Sequence, residues 1–322
     1  MKPTIYIDRI IPAEVEAYLA QHCVIKKWEG AGPVTNEALI EGLRGAQGLL
    51  TSGTAINEEL LAAAPQLKAV STISVGYNHF DIEAMKRHSV AGTHTPYVLD
   101  ETVADLVFAL MLGTARRVGE LDRYVKEGRW TGKEGSSLFG VDVHHRKLGI
   151  IGMGRIGESV ARRARFGFEM EVAYYNRSRK QAVEDKLGVQ YAELNELLET
   201  SDFIVMLTPL TPGTAGMIGR EQFARMKRSA IFINASRGQT IDEDALVEAL
   251  QNGTILAAGL DVYNVEPIDP SHPFLSMPNV LTLPHLGSAT SQTRFDMAML
   301  AARNLVAALT GEGEAYVVEE LR

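Results

Sequence analysis

A glycine-rich turn near the middle of the chain constrains its fold more than any other feature. Within the stretch 149–157, Gly152, Gly154 and Gly157 have the spacing G-x-G-x-x-G. An apolar run over 148–151 predicts a buried strand before the turn, and the pattern of 156–166 predicts a helix after it. This order is typical of a βαβ unit whose turn and helix N-terminus bind the pyrophosphate of a dinucleotide. The expected contacts come from the turn and the start of the helix: Gly152, Gly154, Arg155, Ile156 and Gly157.

The end of the next predicted strand indicates which dinucleotide is bound. Units that bind NAD usually carry Asp or Glu there, about 20 residues after the glycines, to bind the adenosine ribose. This chain has Asn176 at the end of the strand 171–176, followed by Arg177, Ser178 and Arg179. A carboxylate would repel a 2′-phosphate, whereas these side chains can hydrogen-bond it. The sequence therefore predicts NADP(H) as the preferred cofactor and NAD(H) as the alternative, unless the basic turn is only a solvated surface.

The composition is that of an ordinary globular protein without a polyanionic partner. The 322 residues suffice for about two domains, and 46% hydrophobic with 22% charged residues are typical of such domains. A net charge of −8 gives no support to binding of nucleic acid or of an anionic membrane. Cys23 is the only cysteine, so no internal disulfide can form. The first residues lack a signal-peptide pattern and no run of ~18 apolar residues occurs, so we expect a cytoplasmic protein.

Apolar runs alternate with helical patterns along most of the chain. Over 4–95 this alternation predicts a small parallel sheet, and strands expected between 148 and 283 predict a second one. A long apolar helix over 98–115 could connect them, an irregular loop follows at 128–142, and a last helix covers 290–309. We therefore predict an α/β fold with two Rossmann-like or flavodoxin-like parallel-sheet domains and an active-site cleft between them.

The mid-chain position of the glycine turn implies that the first domain is discontinuous. The expected boundaries are 1–98 with 289–322 for a substrate domain, and 99–288 for an NAD(P)-binding domain. Ligands of open parallel sheets bind beyond the carboxyl ends of the strands, so polar residues at those ends are candidates for the site.

Three successive predicted strands of the second domain are each followed by such a residue, namely Arg237, Glu266 and His285. An arginine can hold a planar oxyanion, and a carboxylate beside a histidine is a common acid–base arrangement. Taken singly, each could be a surface ion pair, a turn residue or a structural histidine. Taken together they favour an acid–base and anion-binding site.

Ordered motifs along nearly the whole chain carry a family resemblance. They are Ser74-Val-Gly76, the glycine turn, Asn234-Ala-Ser-Arg-Gly238, Gly259-Leu-Asp-Val-Tyr263, Glu266-Pro267 and Pro284-His-Leu-Gly-Ser-Ala-Thr290. With them the sequence resembles the D-isomer-specific 2-hydroxyacid dehydrogenase family. Within that family it looks most like the glyoxylate/hydroxypyruvate reductases and the 2-ketogluconate reductases, because of Tyr77, Val143-His-His145 and the basic turn at 177–180.

The resemblance implies a role for each candidate residue. Arg237 should hold the substrate carboxylate and polarise its carbonyl, His285 should donate the proton, and Glu266 should orient His285 and favour its charged form. The N–H groups of Val75 and Gly76 are expected to bind the carboxylate. Further cofactor contacts are expected at Thr102, Thr208, Pro209, Ser236, Arg237, Asp261, His285 and Gly287, with Asp261 accepting from the nicotinamide carboxamide.

The resemblance implies NADPH-dependent reduction of a small 2-oxo acid to a D-2-hydroxy acid, with glyoxylate, hydroxypyruvate and 2-ketogluconate as the candidate substrates. It also implies that the protein is a homodimer. The alternatives are a dinucleotide-sensing binding protein, as in the family's corepressors, or another dehydrogenase of the same fold. The chain departs from the family pattern at two places. The loop 136–140 has no tryptophan where some relatives carry one, although Phe139 is aromatic, and this departure bears on substrate choice. Asp105 replaces the usual glutamate, which is a conservative change.

No His, Cys, Asp or Glu cluster has metal-ligand spacing, so no metal is expected. The histidines at 79, 94, 144 and 145 lack comparable context and are expected to be structural.

Overall fold

The computed structural model describes residues 2–30 and 32–322, which form two compact units. The first unit consists of Met1–Leu99 and Ala289–Arg322, and the second of Asp100–Ser288. One unit has a five-stranded sheet and the other a seven-stranded sheet, each with helices packed around it. The predicted α/β class with two parallel-sheet domains is therefore confirmed.

The N-terminal part of the chain supplies the sheet of the first unit. Its strands are β1 (Thr4–Ile7), β2 (Val24–Lys27), β3 (Gly48–Thr51), β4 (Ala69–Thr72) and β5 (Ala91–Thr93), and its helices are α1 (Ala13–His22), α2 (Asn36–Leu43), α3 (Glu58–Ala63) and α4 (Ile82–Arg87). The strand order is β2-β1-β3-β4-β5 and every neighbouring pair is parallel. Every residue of β3 and β4 is buried, as expected for central strands covered on both faces.

Polar side chains begin three of these helices. Thr35, Asn57 and Asp81 each accept a hydrogen bond from the backbone N–H three residues further on. Such caps satisfy N–H groups that have no partner within the helix. The starts of these helices therefore follow from residue types that the sequence displays.

The second unit is larger and contains the glycine turn. Its strands are β6 (Lys147–Ile151), β7 (Glu171–Tyr175), β8 (Gln190–Tyr191), β9 (Phe203–Met206), β10 (Ile231–Asn234), β11 (Ala257–Leu260) and β12 (Val280–Thr282), and its helices are α5 (Asp100–Ala115), α6 (Val118–Lys126), α7 (Arg155–Gly167), α8 (Gln181–Leu187), α9 (Leu194–Thr200), α10 (Arg220–Arg225) and α11 (Glu243–Gln251). The strand order is β12-β11-β10-β9-β6-β7-β8, again all parallel. One apolar core lies between this sheet and α5 with α7, and a second lies on the opposite face under α9, α10 and α11.

The last helix, α12 (Ser291–Thr310), belongs to the first unit and packs on β3 and β4. The hydroxyl of Ser71 donates to the carbonyl of Ala301 at 2.8 Å, which ties the helix to the sheet. The helix ends at Gly311 in the left-handed conformation that glycine adopts without strain.

Some elements differ from the sequence prediction. Helix α6 is not predicted by the sequence pattern, and the loop predicted as irregular at 128–142 contains a short 3-10 helix at Gly135–Leu138. Strands β5 and β8 are also absent from the prediction, because they have only three and two residues and carry little apolar pattern. Within the described part of the chain, no helix is both long and apolar enough to span a bilayer.

Candidate active site

The candidate catalytic residues of the second unit lie at one edge of its sheet. Strand β11 pairs with β10 on one side and with β12 on the other, and all three run in the same direction. The loops that follow them therefore start side by side. These loops carry Arg237, Asp261, Glu266 and His285, so the structure brings these predicted residues to the same edge.

Glu266 and His285 form a hydrogen-bonded pair at this edge. The Nδ1 atom of His285 lies 2.6 Å from Oε2 of Glu266, and the other carboxylate oxygen accepts the N–H of Tyr263 at 3.0 Å. An ionised carboxylate only accepts, so Nδ1 carries the proton in this pair. The second ring nitrogen, Nε2, is then the ring atom that could exchange a proton with a ligand.

The charge state of Glu266 follows from its surroundings. Burial alone would raise the pKa of this carboxyl, but the hydrogen bonds from His285 and Tyr263, with the positive charges of His285 and Arg237, outweigh it. The pKa of Glu266 therefore lies below its ordinary value. The carboxylate therefore stays ionised at neutral pH.

Asp261 holds the backbone that carries His285. Its two carboxylate oxygens accept the N–H groups of Leu286 and Gly287 at 2.7 and 2.9 Å. His285 has φ +54°, a left-handed conformation that is strained for a residue with a side chain. The two hydrogen bonds to one buried carboxylate stabilise that conformation. Burial raises the pKa of Asp261. The hydrogen bonds from the two N–H groups and the charge of His285 lower it, but burial is the larger effect.

Arg237 supplies the positive charge of the site. Its Nη1 donates to the carbonyl of Ser236 at 2.6 Å, which fixes part of the guanidinium against its own loop. Burial lowers the pKa of Arg237, and the Glu266 charge opposes this effect. Because an arginine pKa starts so high, the group stays charged and can hold a carboxylate or a carbonyl oxygen.

The glycine turn has the geometry that a dinucleotide needs. Gly152 has φ +107°, and a Cβ there would lie 2.9 Å from the backbone nitrogen of Thr208. A Cβ at Gly157 would lie 2.5 Å from the carbonyl oxygen of Gly152, so the helix packs closely on the turn. At Gly154, the residue before α7, a Cβ would meet no atom within 4 Å. That open space fits a pyrophosphate at the helix N-terminus.

The side chain of Arg155 points away from this role. Its Nε donates to the Asp100 carboxylate at 3.0 Å. The predicted phosphate contacts of Arg155 and Ile156 therefore rest on their backbone N–H groups.

The two arginines of the basic turn after β7 differ in whether a carboxylate binds them. Arg179 donates through Nε and Nη2 to the two oxygens of Glu184, at 2.8 and 2.6 Å. The side-chain hydrogen bonds from Arg179 and Tyr174 lower the pKa of Glu184 to about 2. Arg177 is exposed and has no carboxylate partner in the part of the chain that the structure describes. Of the two predicted phosphate-binding arginines, only Arg177 is thus without a strong partner among the described residues.

The other predicted cofactor contacts occupy varied positions. Thr208 and Pro209 follow β9 at the same edge of the sheet, whereas Thr102 lies on α5, half-buried. The Ser236 hydroxyl is buried and donates to Oδ1 of Asn234 at 2.7 Å, so it stabilises its own turn. Gly287 is buried against Asp261.

In the first unit, the loop Ser74–Tyr77 follows β4 at the carboxyl edge of the sheet. The N–H groups of Val75 and Gly76 donate to no acceptor among the described residues. Two adjacent unpaired N–H groups can bind an anion. This geometry is the one expected of a carboxylate-binding loop.

Two residues that position other parts of the site, Tyr263 and Arg117, are given no such role by the sequence. Tyr263 donates its N–H to Glu266 and its hydroxyl to the carbonyl of Leu283 at 2.9 Å, joining the loops after β11 and β12. Arg117 binds Glu120 and the carbonyls of Ser137 and Phe139, and so holds the loop that carries Phe139. No spacing in the sequence signals either role. Among the described residues, no group of His, Cys, Asp and Glu is arranged to hold a metal ion.

Comparison with known proteins agrees with this geometry. Residues 108–287 match the family model described as D-isomer specific 2-hydroxyacid dehydrogenase, NAD binding domain. A glyoxylate/hydroxypyruvate reductase B of Serratia proteamaculans is 50% identical over 311 residues, which cover 97% of this chain and 96% of that protein. The crystal structure of a protein from Thermus thermophilus superposes with a TM-score of 0.90 at 38% identity, covering 98% and 99% of the two chains.

A second solved structure is that of an NADPH-dependent glyoxylate/hydroxypyruvate reductase from Sinorhizobium meliloti in complex with NADP and malonate. It has a TM-score of 0.87 at 34% identity and covers 100% of this chain and 98% of its own. The family model spans more than half of the chain, and the relatives span nearly all of it. The chain belongs to the D-isomer-specific 2-hydroxyacid dehydrogenase family and is an oxidoreductase of that family.

Proposed function

We propose that this protein reduces small 2-oxo acids to D-2-hydroxy acids, with glyoxylate and hydroxypyruvate as the first candidates and 2-ketogluconate as the third. The observation that carries the proposal is the His285–Glu266 pair, because it leaves Nε2 of His285 available for proton transfer at the sheet edge that also carries Arg237. The Serratia relative bears the name of a glyoxylate/hydroxypyruvate reductase, and this supports the choice of substrates.

The residues have separate tasks in the proposed reaction. A nicotinamide cofactor held at the glycine turn would supply the hydride for the carbonyl carbon. Arg237 binds the carboxylate and polarises the carbonyl oxygen, which gains negative charge in the transition state. Nε2 of His285 donates its proton to that oxygen. Glu266 stabilises the imidazolium before transfer, and the N–H groups of Val75 and Gly76 contribute to carboxylate binding.

We also propose NADP(H) as the preferred cofactor and Arg177 as the main ligand of its 2′-phosphate. The support is the absence of a carboxylate at position 176 and the exposure of Arg177, which binds no carboxylate among the described residues. The Sinorhizobium relative is described as NADPH-dependent and was solved with NADP. Ser178 and Asn176 would add neutral hydrogen bonds.

A homodimer is the third part of the proposal. Helix α6 contributes no buried residue, and its Val125 side chain is 53% exposed. Trp130 and Phe139, in the following loop, are 67% and 71% exposed. Large apolar side chains exposed together mark a contact surface, and a second copy of this chain would cover them.

The decisive experiment is oxidation of NADPH and of NADH by the purified protein with glyoxylate, hydroxypyruvate and 2-ketogluconate. We expect turnover with NADPH, and a loss of kcat of about 10²–10⁴-fold in His285→Gln with saturating NADPH. Equal turnover by the variant would refute the proton-donor assignment. Cofactor binding without turnover on any of the three acids would favour a dinucleotide-sensing protein instead.

A further inference from the structure

Two histidines of the first unit each act on the loop whose unpaired N–H groups were described above. Nδ1 of His94 lies 2.9 Å from the carbonyl oxygen of Val75. A carbonyl oxygen can only accept, so Nδ1 of His94 carries a proton and donates it. The sequence predicts only a structural role for His94, and this contact gives it a specific target.

The Val75 carbonyl belongs to the same peptide group as the N–H of Gly76, which is a predicted substrate contact. The carbonyl of Val75 and the N–H of Gly76 are the two ends of one planar amide. A hydrogen bond to the oxygen of an amide polarises it and makes its N–H a stronger donor. The N–H of Gly76 has no acceptor among the described residues, so the stronger donor is available to a ligand.

We propose that His94 is a positioning residue that prepares the Val75–Gly76 peptide to bind the substrate carboxylate. The inference rests on the proposed function, because it assumes that the ligand of this loop is a carboxylate. His94 does not touch the reacting atoms. It acts through the peptide to which it donates.

A second chain of hydrogen bonds reaches the next peptide of the loop. The hydroxyl of Ser74 donates to the carbonyl of Gly76 at 2.7 Å, and its oxygen lies 2.8 Å from Oγ1 of Thr72. Since Ser74 already donates its one proton to Gly76, Thr72 is the donor to Ser74. Nε2 of His79, at 3.2 Å from Oγ1 of Thr72, must then donate to Thr72. The chain therefore runs in one direction, from His79 to Gly76.

The position of His94 is fixed from several sides within the first unit. Its backbone carbonyl accepts from Nδ2 of Asn304 at 2.7 Å, and its N–H donates to the carbonyl of Tyr316 at 3.1 Å. Its ring meets the ring of Tyr77 edge-on, with 5.4 Å between centroids. The hydroxyl of Tyr77 donates to Glu320 at 3.1 Å. These contacts set the imidazole where it can donate to Val75.

The test compares two substitutions of matched size. In His94→Asn, the side-chain amide can place an N–H close to the position of Nδ1, whereas His94→Leu removes the donor. We expect KM for glyoxylate to rise about three- to tenfold in His94→Leu, to change about twofold or less in His94→Asn, and kcat to change little in either. The dissociation constant of NADPH should stay at the wild-type value in both.

Two further variants control for a rise in KM that comes only from a disturbed fold. His94→Asp keeps the size of asparagine but offers only acceptors, so it should raise KM even if His94→Leu unfolds. His88→Leu removes a histidine of the same unit that contacts Glu58 on the surface, and should leave KM unchanged. Melting temperatures of all variants separate loss of fold from loss of binding.

The outcomes distinguish this inference from the proposed function. If the wild type reduces none of the 2-oxo acids, the proposed function fails and the binding of oxalate, measured by calorimetry, becomes the readout for the same variants. If the wild type is active and His94→Leu or His94→Asp retains its KM while folded, the inference alone is overturned. The same conclusion follows if His94→Asn binds substrate as weakly as His94→Leu.

Discussion

Glu266 uses its two carboxylate oxygens for two different loops, binding Nδ1 of His285 at 2.6 Å through one and the N–H of Tyr263 at 3.0 Å through the other. The hydrogen bond from Tyr263 fixes the carboxylate, and the carboxylate in turn fixes the imidazole. In the proposed reaction the proton donor must be oriented towards the substrate, and this single side chain fixes the ring that would carry the proton.

Glu266→Gln should therefore impair proton donation without abolishing it. A neutral amide can accept from Nδ1 through its oxygen but carries no charge to stabilise a charged partner, so kcat for reduction should fall about tenfold or more. The measurement is kcat of both proteins with saturating NADPH. An unchanged kcat in the variant would contradict the role given to Glu266.

The Glu266–His285 pair also predicts how the stability of the fold depends on pH. The pKa of Glu266 is lowered in the folded protein, so its contribution is complete above the ordinary glutamate pKa of about 4.3 and is lost as pH falls through the lowered value. Urea unfolding at a series of acid pH values should show this loss in the wild type. In Glu266→Gln, the free energy of unfolding should lack the part of this acid loss that comes from protonation of Glu266.

Asp261→Asn should loosen the turn that carries His285. One side-chain amide would face the N–H groups of Leu286 and Gly287 with an acceptor on one side and a donor on the other, leaving one N–H without a partner. A buried unsatisfied donor costs about 1–3 kcal/mol, and the left-handed backbone at His285 loses a restraint. We expect lower stability in urea unfolding and a lower kcat. Asp269→Asn is the matched control, because Asp269 is exposed and, among the described residues, its side chain hydrogen-bonds only the nearby Ser271.

The basic turn allows two arginines to be separated by experiment. Arg177→Ala should lower the ratio of kcat/KM for NADPH over NADH by about 10- to 100-fold, since a charged hydrogen bond contributes about 1.5–3 kcal/mol. Arg179→Ala should change this ratio much less, because Arg179 is already bound by both oxygens of Glu184. Steady-state kinetics with each cofactor gives both ratios. A larger effect from Arg179 would reverse the assignment.

Particular residues show where sequence reasoning succeeds and where it ends. Strand β9 is a continuous run of buried apolar residues, and strand β10 is one up to its last residue, Asn234, so their pattern predicts them to within about a residue. The motif around His285 likewise identifies the edge of the sheet at which it lies. The two N–H groups bound by Asp261 and the pairing of Arg179 with Glu184 could not be predicted, because both depend on loop conformations. The target of His94 lies in a loop 19 residues before it in the chain, which no local pattern encodes.

The proposed dimer surface leads to the last prediction. A charge at Val125 would be buried against the apolar side chains of a second copy, and an unpaired buried charge is strongly unfavourable. Val125→Glu should therefore convert the protein from dimer to monomer, as measured by light scattering after size exclusion, while its melting curve stays cooperative. Val24→Glu is the matched control, since Val24 lies on the edge strand β2 of the first unit and is also about half exposed, at 52%. A monomeric wild type would contradict the dimer, whereas a dimeric Val125→Glu would place the contact elsewhere.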